Sequence, residues 1–171
     1  MNTAELLADA YGRIKEVVHD AVEGLTTGEL ADRLDPEANS VGWLVWHLTR
    51  VQDDHVSEAA GHPQTWTEGG WDQRFGLPFD ADDIGYGHSA DEVAELAAAT
   101  ADLLTGYYDA VHERTLAYLA TLTDADLDTV VDRRWTPPVT LGVRLVSVIS
   151  DDLQHAGQAA ILRGILLRRR G

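Results

Sequence analysis

The amino-acid sequence predicts an all-α protein, a four-helix bundle with a long crossover between its second and third helices. Apolar residues recur at helical spacing in four long segments of the chain. The helices form two pairs, the first with the second and the third with the fourth. The two helices of each pair are joined by a short connection, the two connections are similar in sequence, and one long segment, residues 61–89, joins the two pairs. No segment shows the apolar–polar alternation of a strand. Four long helices with one extended crossover are typical of a four-helix bundle.

The first pair of helices occupies the N-terminal third of the chain. The first predicted helix spans residues 3–23, with Thr3 as its N-cap. Ser40 can cap the second, which runs to about Ala60. The apolar positions of the first helix are Leu6, Leu7, Ala10, Ile14, Val17, Val18 and Ala21, and those of the second are Leu44, Leu48, Val51 and Ala59.

The second pair of helices follows the crossover. The third predicted helix starts near Asp91 and runs to about Leu122 through a stretch rich in alanine and leucine. The fourth begins at Thr140 or the residue before it and continues to Arg168 or beyond. Its last turn is positively charged, which suits the negative end of a helix dipole.

The connecting segments carry their own signals. The stretches "LTTGELADRLD" (25–35) and "LTDADLDTVVD" (122–132) both read Leu-Thr-x-x-acid-Leu. This Thr-x-x-acid spacing is that of a capping box, so each stretch predicts a short extra helix. The crossover, residues 61–89, contains six glycines, two prolines and several aromatic residues without a sustained period. A connection of this length is more often functional than idle, although we expect most of its aromatic side chains to pack on the bundle.

Length and composition predict one globular domain over residues 1–171. The chain has 13 Lys and Arg against 29 Asp and Glu, a formal charge of −16, and we therefore expect neither nucleic acid nor a membrane surface as a partner. The absence of cysteine excludes a disulfide framework and a thiolate nucleophile supplied by the chain. Because the N-terminal segment is amphipathic and charged rather than signal-like, the expected location is the cytoplasm.

Polar side chains interrupt the apolar stripe of the fourth helix. Asp151 and His155 lie one turn apart on the stripe that should face the core, and Asp152 lies near its edge. A spacing of four residues lets two side chains converge on one point. An ionised carboxylate at such a position needs a partner, because burying it unpaired is expensive.

The second helix offers a third polar group, His47, at the edge of its apolar stripe. A histidine from one helix and an Asp-x-x-x-His pair from another can supply three ligands and leave positions for water or substrate, as catalytic divalent-metal sites do. The residues alone also allow two other interpretations. In one, Asp151 and His155 form a local pair in a purely structural helical dimer. In the other, a metal-binding bundle has no catalytic turnover.

Several motifs resemble the DinB-like superfamily, and within it the mycothiol-dependent branch that includes mycothiol S-transferases and maleylpyruvate isomerase. The resemblance rests on "NSVGWLVWHLTRVQDDH" (39–55), "GWDQRFGLP" (70–78), "DIGYGHS" (83–89) and "LQHAGQAAILRG" (153–164). It implies a four-helix bundle that holds a divalent metal through a histidine on the second helix and an acid-or-histidine/histidine pair on the fourth.

Mapped onto this chain, the resemblance implies the metal ligands His47, Asp151 and His155, with Asp152 or His55 as substitutes if the short Asp151 side chain does not reach the metal. Zinc suits mixed histidine and carboxylate ligation, and nickel, iron or manganese are also compatible. The implied activity is the transfer of a small-molecule thiol to an electrophile, and the implied assembly is a homodimer. A metal-dependent hydrolase or isomerase on the same site, or a stress-related metal-binding bundle, are the alternatives. No further catalytic residue is identified, and no organic cofactor is expected.

Overall fold

The computed structural model describes residues 1–170 and is mostly helical, which confirms the all-α prediction. The helices are α1 (Thr3–Val22), α2 (Thr27–Ala31), α3 (Val41–Ala60), α4 (Thr65–Glu68), α5 (Trp71–Phe75), α6 (Ala90–Ala94), α7 (Ala101–Leu119) and α8 (Leu141–Arg169). Two 3-10 helices, Glu95–Ala98 and Asp124–Asp128, and two short strands, β1 (Val130–Asp132) and β2 (Val139–Thr140), complete the described structure.

The ends of the long helices follow from side-chain capping. Ser40 caps α3 as predicted, because its Oγ accepts a hydrogen bond from the Trp43 N–H at 3.1 Å. The predicted N-cap of α1 is off by one residue, since Asn2, not Thr3, accepts from the Glu5 N–H at 2.8 Å. Asn2 and Glu5 form a reciprocal capping box, which a reading based on Ser and Thr overlooks.

The third predicted helix is interrupted in the structure. After α6 and the following 3-10 helix, Ala99 is extended, and α7 starts afresh with Thr100 as its N-cap. The Thr100 Oγ1 accepts from the Leu103 N–H at 3.2 Å, which stabilises this new start. The helix also ends at Leu119 rather than Leu122. High alanine content favours a helix at every position of this stretch and so does not reveal the break.

The two related connections both contain the predicted short helix. In the first, Thr26 and Glu29 form the capping box of α2. In the second, Thr123 and Asp126 form the same box at the start of the 3-10 helix Asp124–Asp128. This second connection then continues into the antiparallel pair β1–β2, which the sequence did not predict because strands of three and two residues are too short to show alternation.

The four long helices contact one another, and their buried apolar residues belong to one core cluster. The helices α1 and α3 each contact both α7 and α8, and α3 against α8 is the most extensive of these contacts. Every residue of α3 from Val41 to Asp53 is buried, because the crossover covers the face that the other long helices leave open. Trp46, for example, contacts the crossover residues Trp66 and Phe79. Over residues 1–170, no helix combines the length and apolarity needed to cross a membrane.

Candidate metal centre

Three side chains from α3 and α8 meet at the contact between these helices. His47, Asp151 and His155 each offer one ligand atom, and the three atoms all lie within 4.8 Å of one another. The His47 and His155 rings have their centroids 4.9 Å apart, and His155 Nε2 lies 3.8 Å from Asp151 Oδ2. The structure therefore brings together the three residues that the sequence and the resemblance selected.

His47 is held with one ring nitrogen available to a ligand. Its Nδ1 is 2.5 Å from the Ile84 carbonyl oxygen, and since a carbonyl only accepts hydrogen bonds, Nδ1 is the protonated donor. The Nε2 lone pair is thus free to coordinate a cation. The ring also stacks on Trp43 with centroids 4.6 Å apart and planes 14° from parallel. Burial lowers the pKa of His47, which favours the neutral form that binds metals.

His155 has an equivalent local support on its own helix. Its Nδ1 lies 2.9 Å from Oε1 of Gln158, three residues further along α8. An amide oxygen accepts, so Nδ1 donates and Nε2 carries the lone pair on the side of Asp151. This contact gives a physical role to Gln158, which belongs to the motif "LQHAGQAAILRG" (153–164).

Asp151 is the anionic member of the cluster, and one of its oxygens has no hydrogen bond. Oδ2 is a buried atom without a hydrogen-bond partner among residues 1–170. A carboxylate oxygen left unpaired in a partly buried site costs free energy unless a cation compensates it. Two imidazole nitrogens, one such oxygen and room for further ligands fit a divalent metal ion.

The two substitute ligands lie outside the cluster. Asp152 is fully buried on the side of α8 that faces Tyr11 and Tyr108, and burial raises its pKa well above the ordinary value. His55 accepts a hydrogen bond at Nδ1 from Arg144 Nη1 at 2.7 Å. Neither residue contributes to the three-atom cluster, so Asp151 is the carboxylate that the geometry selects.

A cavity of about 710 Å³ opens beside Asp151. Its wall includes His55 from α3, Tyr86 from the crossover, and Arg134 and Trp135 from the β1–β2 hairpin. Trp135 is 66% exposed, which is unusual for so large an apolar side chain. The sequence did not predict this wall, because the stretch "DRRWTPPV" (132–139), which forms the turn of the hairpin, shows no helical or strand period.

Most crossover aromatics pack on the helices, as expected. Trp66 is buried and contacts Tyr107 and Phe75, and Arg74 stacks on the Trp71 ring at 4.4 Å instead of facing the cavity. Tyr86 is the exception, because it lines the cavity and lies edge-on to the His47 ring with centroids 5.3 Å apart.

Comparisons with known proteins found a family and a similar solved structure. The sequence profile of the family described as Mycothiol-S-transferase matches residues 7–167. The crystal structure of a conserved protein from Enterococcus faecalis superposes with a TM-score of 0.90 at 31% sequence identity, covering 98% of each chain. No match was found among curated proteins.

Proposed function

Because the chain belongs to the mycothiol-S-transferase family, we propose that it is a metal-dependent enzyme that transfers a small-molecule thiol to an electrophile. The observation that carries the proposal is the cluster of His47, Asp151 and His155, whose ligand atoms converge within 4.8 Å. A local pair on α8 would explain Asp151 and His155 without explaining why His47 joins them from another helix.

The chain's own residues define the setting of the reaction. His47 and His155 present neutral Nε2 atoms, and Asp151 supplies the negative charge that favours a divalent cation over water. Bound there, a divalent ion would lower the pKa of a coordinating thiol and maintain it as the nucleophilic thiolate at neutral pH. Since the chain contains no cysteine, the sulfur belongs to a second molecule, for which a mycothiol-type thiol is the family's precedent.

The cavity beside Asp151 is the natural place for the electrophile. Its volume of about 710 Å³ is within the range of small-molecule sites, and Trp135 and Tyr86 offer apolar surface next to polar groups. His55 contributes a donor there, because Nδ1 already accepts from Arg144 and the neutral ring carries its proton on Nε2.

We also propose the finer features of the fold and assembly. The four long helices form a DinB-type bundle, residues 1–171 form one domain, and zinc is the expected metal, since it accepts mixed nitrogen and oxygen ligation. A row of exposed apolar residues on the outer face of α8 supports the homodimer: Val143, Val146, Leu153 and Ile161. Light scattering on the purified protein and on Val146→Asp tests the dimer, because the charge should shift a dimer towards monomer.

Elemental analysis and a conjugation assay test the function. We expect about one divalent ion per chain in the purified protein, and consumption of a model electrophile only when a low-molecular-weight thiol is present. His47→Ala should lose both. Stoichiometric metal without conjugation would favour a hydrolase, an isomerase or a non-catalytic bundle, whereas His47→Ala retaining metal and activity would eliminate the proposed site.

A further inference from the structure

We propose that residues 83–88, at the C-terminal end of the crossover, are the positioning element of the metal centre, with Gly85 as the residue that lets them close onto His47. The inference rests on the proposed function in one respect, that a metal binds at His47. It goes further by assigning the geometry of that ligand to a segment that supplies no ligand itself.

The segment touches His47 through its backbone. The Ile84 carbonyl accepts the hydrogen bond from His47 Nδ1, and Gly85 follows with a positive φ of 96°. A Cβ atom at Gly85 would lie 2.7 Å from His47 Nδ1, 3.0 Å from the Trp46 ring and 3.2 Å from the Trp43 ring. At distances this short, the neighbouring group has to move. A side chain at Gly85 would therefore push the His47 imidazole out of its place.

Hydrogen bonds within the segment fix its shape. Asp83 Oδ1 accepts from the Gly85 N–H at 2.8 Å, and both Asp83 oxygens lie 3.1 Å from His88 Nε2. The Trp43 indole N–H donates to His88 Nδ1 at 3.1 Å. Because an indole nitrogen only donates, His88 accepts at Nδ1 and the neutral ring carries its proton on Nε2. The Nε2–H group donates a hydrogen bond to the Asp83 carboxylate. Trp43 also stacks on the His47 ring. The imidazole is therefore held at its edge by Ile84 and on its face by Trp43, which is itself bonded to His88.

Arg50 attaches the segment to the helix that carries His47. It lies one turn further along α3, is fully buried, and donates to the carbonyl oxygens of Asp83 at 3.2 Å and Ala81 at 2.9 Å. A third bond, at 2.7 Å, reaches Gln64 Oε1 at the start of the crossover. A fourth bond, at 3.2 Å, reaches the Tyr107 hydroxyl on α7. The buried guanidinium thus holds the crossover against the helix that carries His47.

Hydrogen-bond partners of metal-binding histidines set the tautomer and the ring orientation, and their loss typically costs about 10–100-fold in metal affinity. In this protein the partner is a backbone carbonyl, which no side-chain substitution removes directly. Displacing the segment is therefore the way to test its contribution.

Two glycines of the segment provide a matched pair of variants. Gly85 and Gly87 both have positive φ, at 96° and 75°, so alanine strains the backbone at either position. A Cβ at Gly87, however, meets no atom within 4 Å in the described chain. We expect Gly87→Ala to bind Zn²⁺ within about threefold of wild type, and Gly85→Ala to bind it at least about tenfold more weakly, measured by competition with a chromogenic chelator.

A second pair distinguishes positioning from general damage. Asp83→Asn keeps an oxygen that can accept from the Gly85 N–H, whereas Asp83→Ala removes it. We expect Zn²⁺ affinity to fall in the order wild type, Asp83→Asn, Asp83→Ala, and ¹⁵N NMR of the metal-free protein to show His47 protonated at Nδ1 in wild type and in mixed tautomers in Asp83→Ala. This pair decides the matter if Gly85→Ala does not fold.

Equal Zn²⁺ affinity for Gly85→Ala and Gly87→Ala, or for Asp83→Asn and Asp83→Ala, would overturn the inference. Wild-type protein that binds no Zn²⁺ would overturn the proposed function instead. The NMR comparison would still decide whether residues 83–88 hold His47, because it needs no metal.

Discussion

The substitution Asp151→Asn separates what this carboxylate does for metal binding from what it does for the fold. In the metal-free protein the buried Oδ2 makes no hydrogen bond within the described chain, and the fully buried Asp152 is its neighbour. Asparagine keeps the shape and removes the negative charge. We therefore expect metal-free Asp151→Asn to unfold at the same temperature as wild type or above it, which is unusual for a change inside a packed contact.

The metal response should change in the opposite direction. A ligand present at about 100 times its dissociation constant stabilises a folded protein by about 2.7 kcal/mol. A domain of this size shifts its Tm by about 2–4 °C per kcal/mol, so wild type should gain about 5–11 °C on adding Zn²⁺. Without the anionic ligand, Asp151→Asn should keep only a small part of this gain.

Differential scanning calorimetry on chelator-treated protein, with and without Zn²⁺, measures both effects. The matched control is Asp152→Asn, which changes the adjacent carboxyl outside the cluster and should retain the full Zn²⁺ response. The ligand assignment is refuted if Asp152→Asn loses the response and Asp151→Asn keeps it. A marked loss of metal-free stability in Asp151→Asn would refute the argument from the unpaired oxygen.

Two further predictions concern residues away from the cluster. His55→Asn should leave Zn²⁺ affinity within about threefold of wild type, because the His55 ring is bonded to Arg144; a loss approaching that of His47→Ala would make His55 a ligand. The Arg170 guanidinium, with help from the backbone N–H of Thr26, lowers the pKa of Glu29 from 4.5 to about 2, so this carboxylate stabilises the fold above pH 4.5 and loses its effect as the pH falls towards 2. Melting curves of Glu29→Gln and wild type should therefore differ above pH 5 and converge near pH 2, and a constant difference would contradict the pKa shift.

The sequence was sufficient to single out the three residues of the cluster because each belongs to a periodic helix. Asp151 and His155 are one turn apart on α8 and His47 lies at the edge of the apolar stripe of α3, so helix geometry turns each of them towards the core, and the family resemblance joined them into one site. The sequence did not decide which aspartate is the ligand, since Asp151 lies on the core-facing stripe of α8 and Asp152 lies near the edge of that stripe. That choice depends on how α8 is rotated against α1 and α3, which only the packed structure determines.

The sequence did not predict the features of the fold and the site that depend on backbone groups or on very short elements. The start of α7 at Thr100 depends on one side-chain cap inside an alanine-rich stretch. The hairpin that forms the cavity wall has strands of three and two residues. The contact from Ile84 to His47 uses a carbonyl group, which every residue possesses, so no residue type could indicate it.

The three residues of the cluster depend on different levels of structure. Asp151 and His155 are placed relative to each other by one turn of α8, and His155 Nδ1 bonds to Gln158 on the same helix, so the polar contacts of this half of the site lie within one helix. His47 reaches the other two only when α3 packs on α8, and its orientation depends on the docked crossover. Zn²⁺ affinity should therefore report on the docking of residues 83–88 before it reports on helix content. Mild denaturant should weaken metal binding while circular dichroism at 222 nm is still unchanged, and simultaneous loss of both signals would show that crossover and helices unfold as one unit.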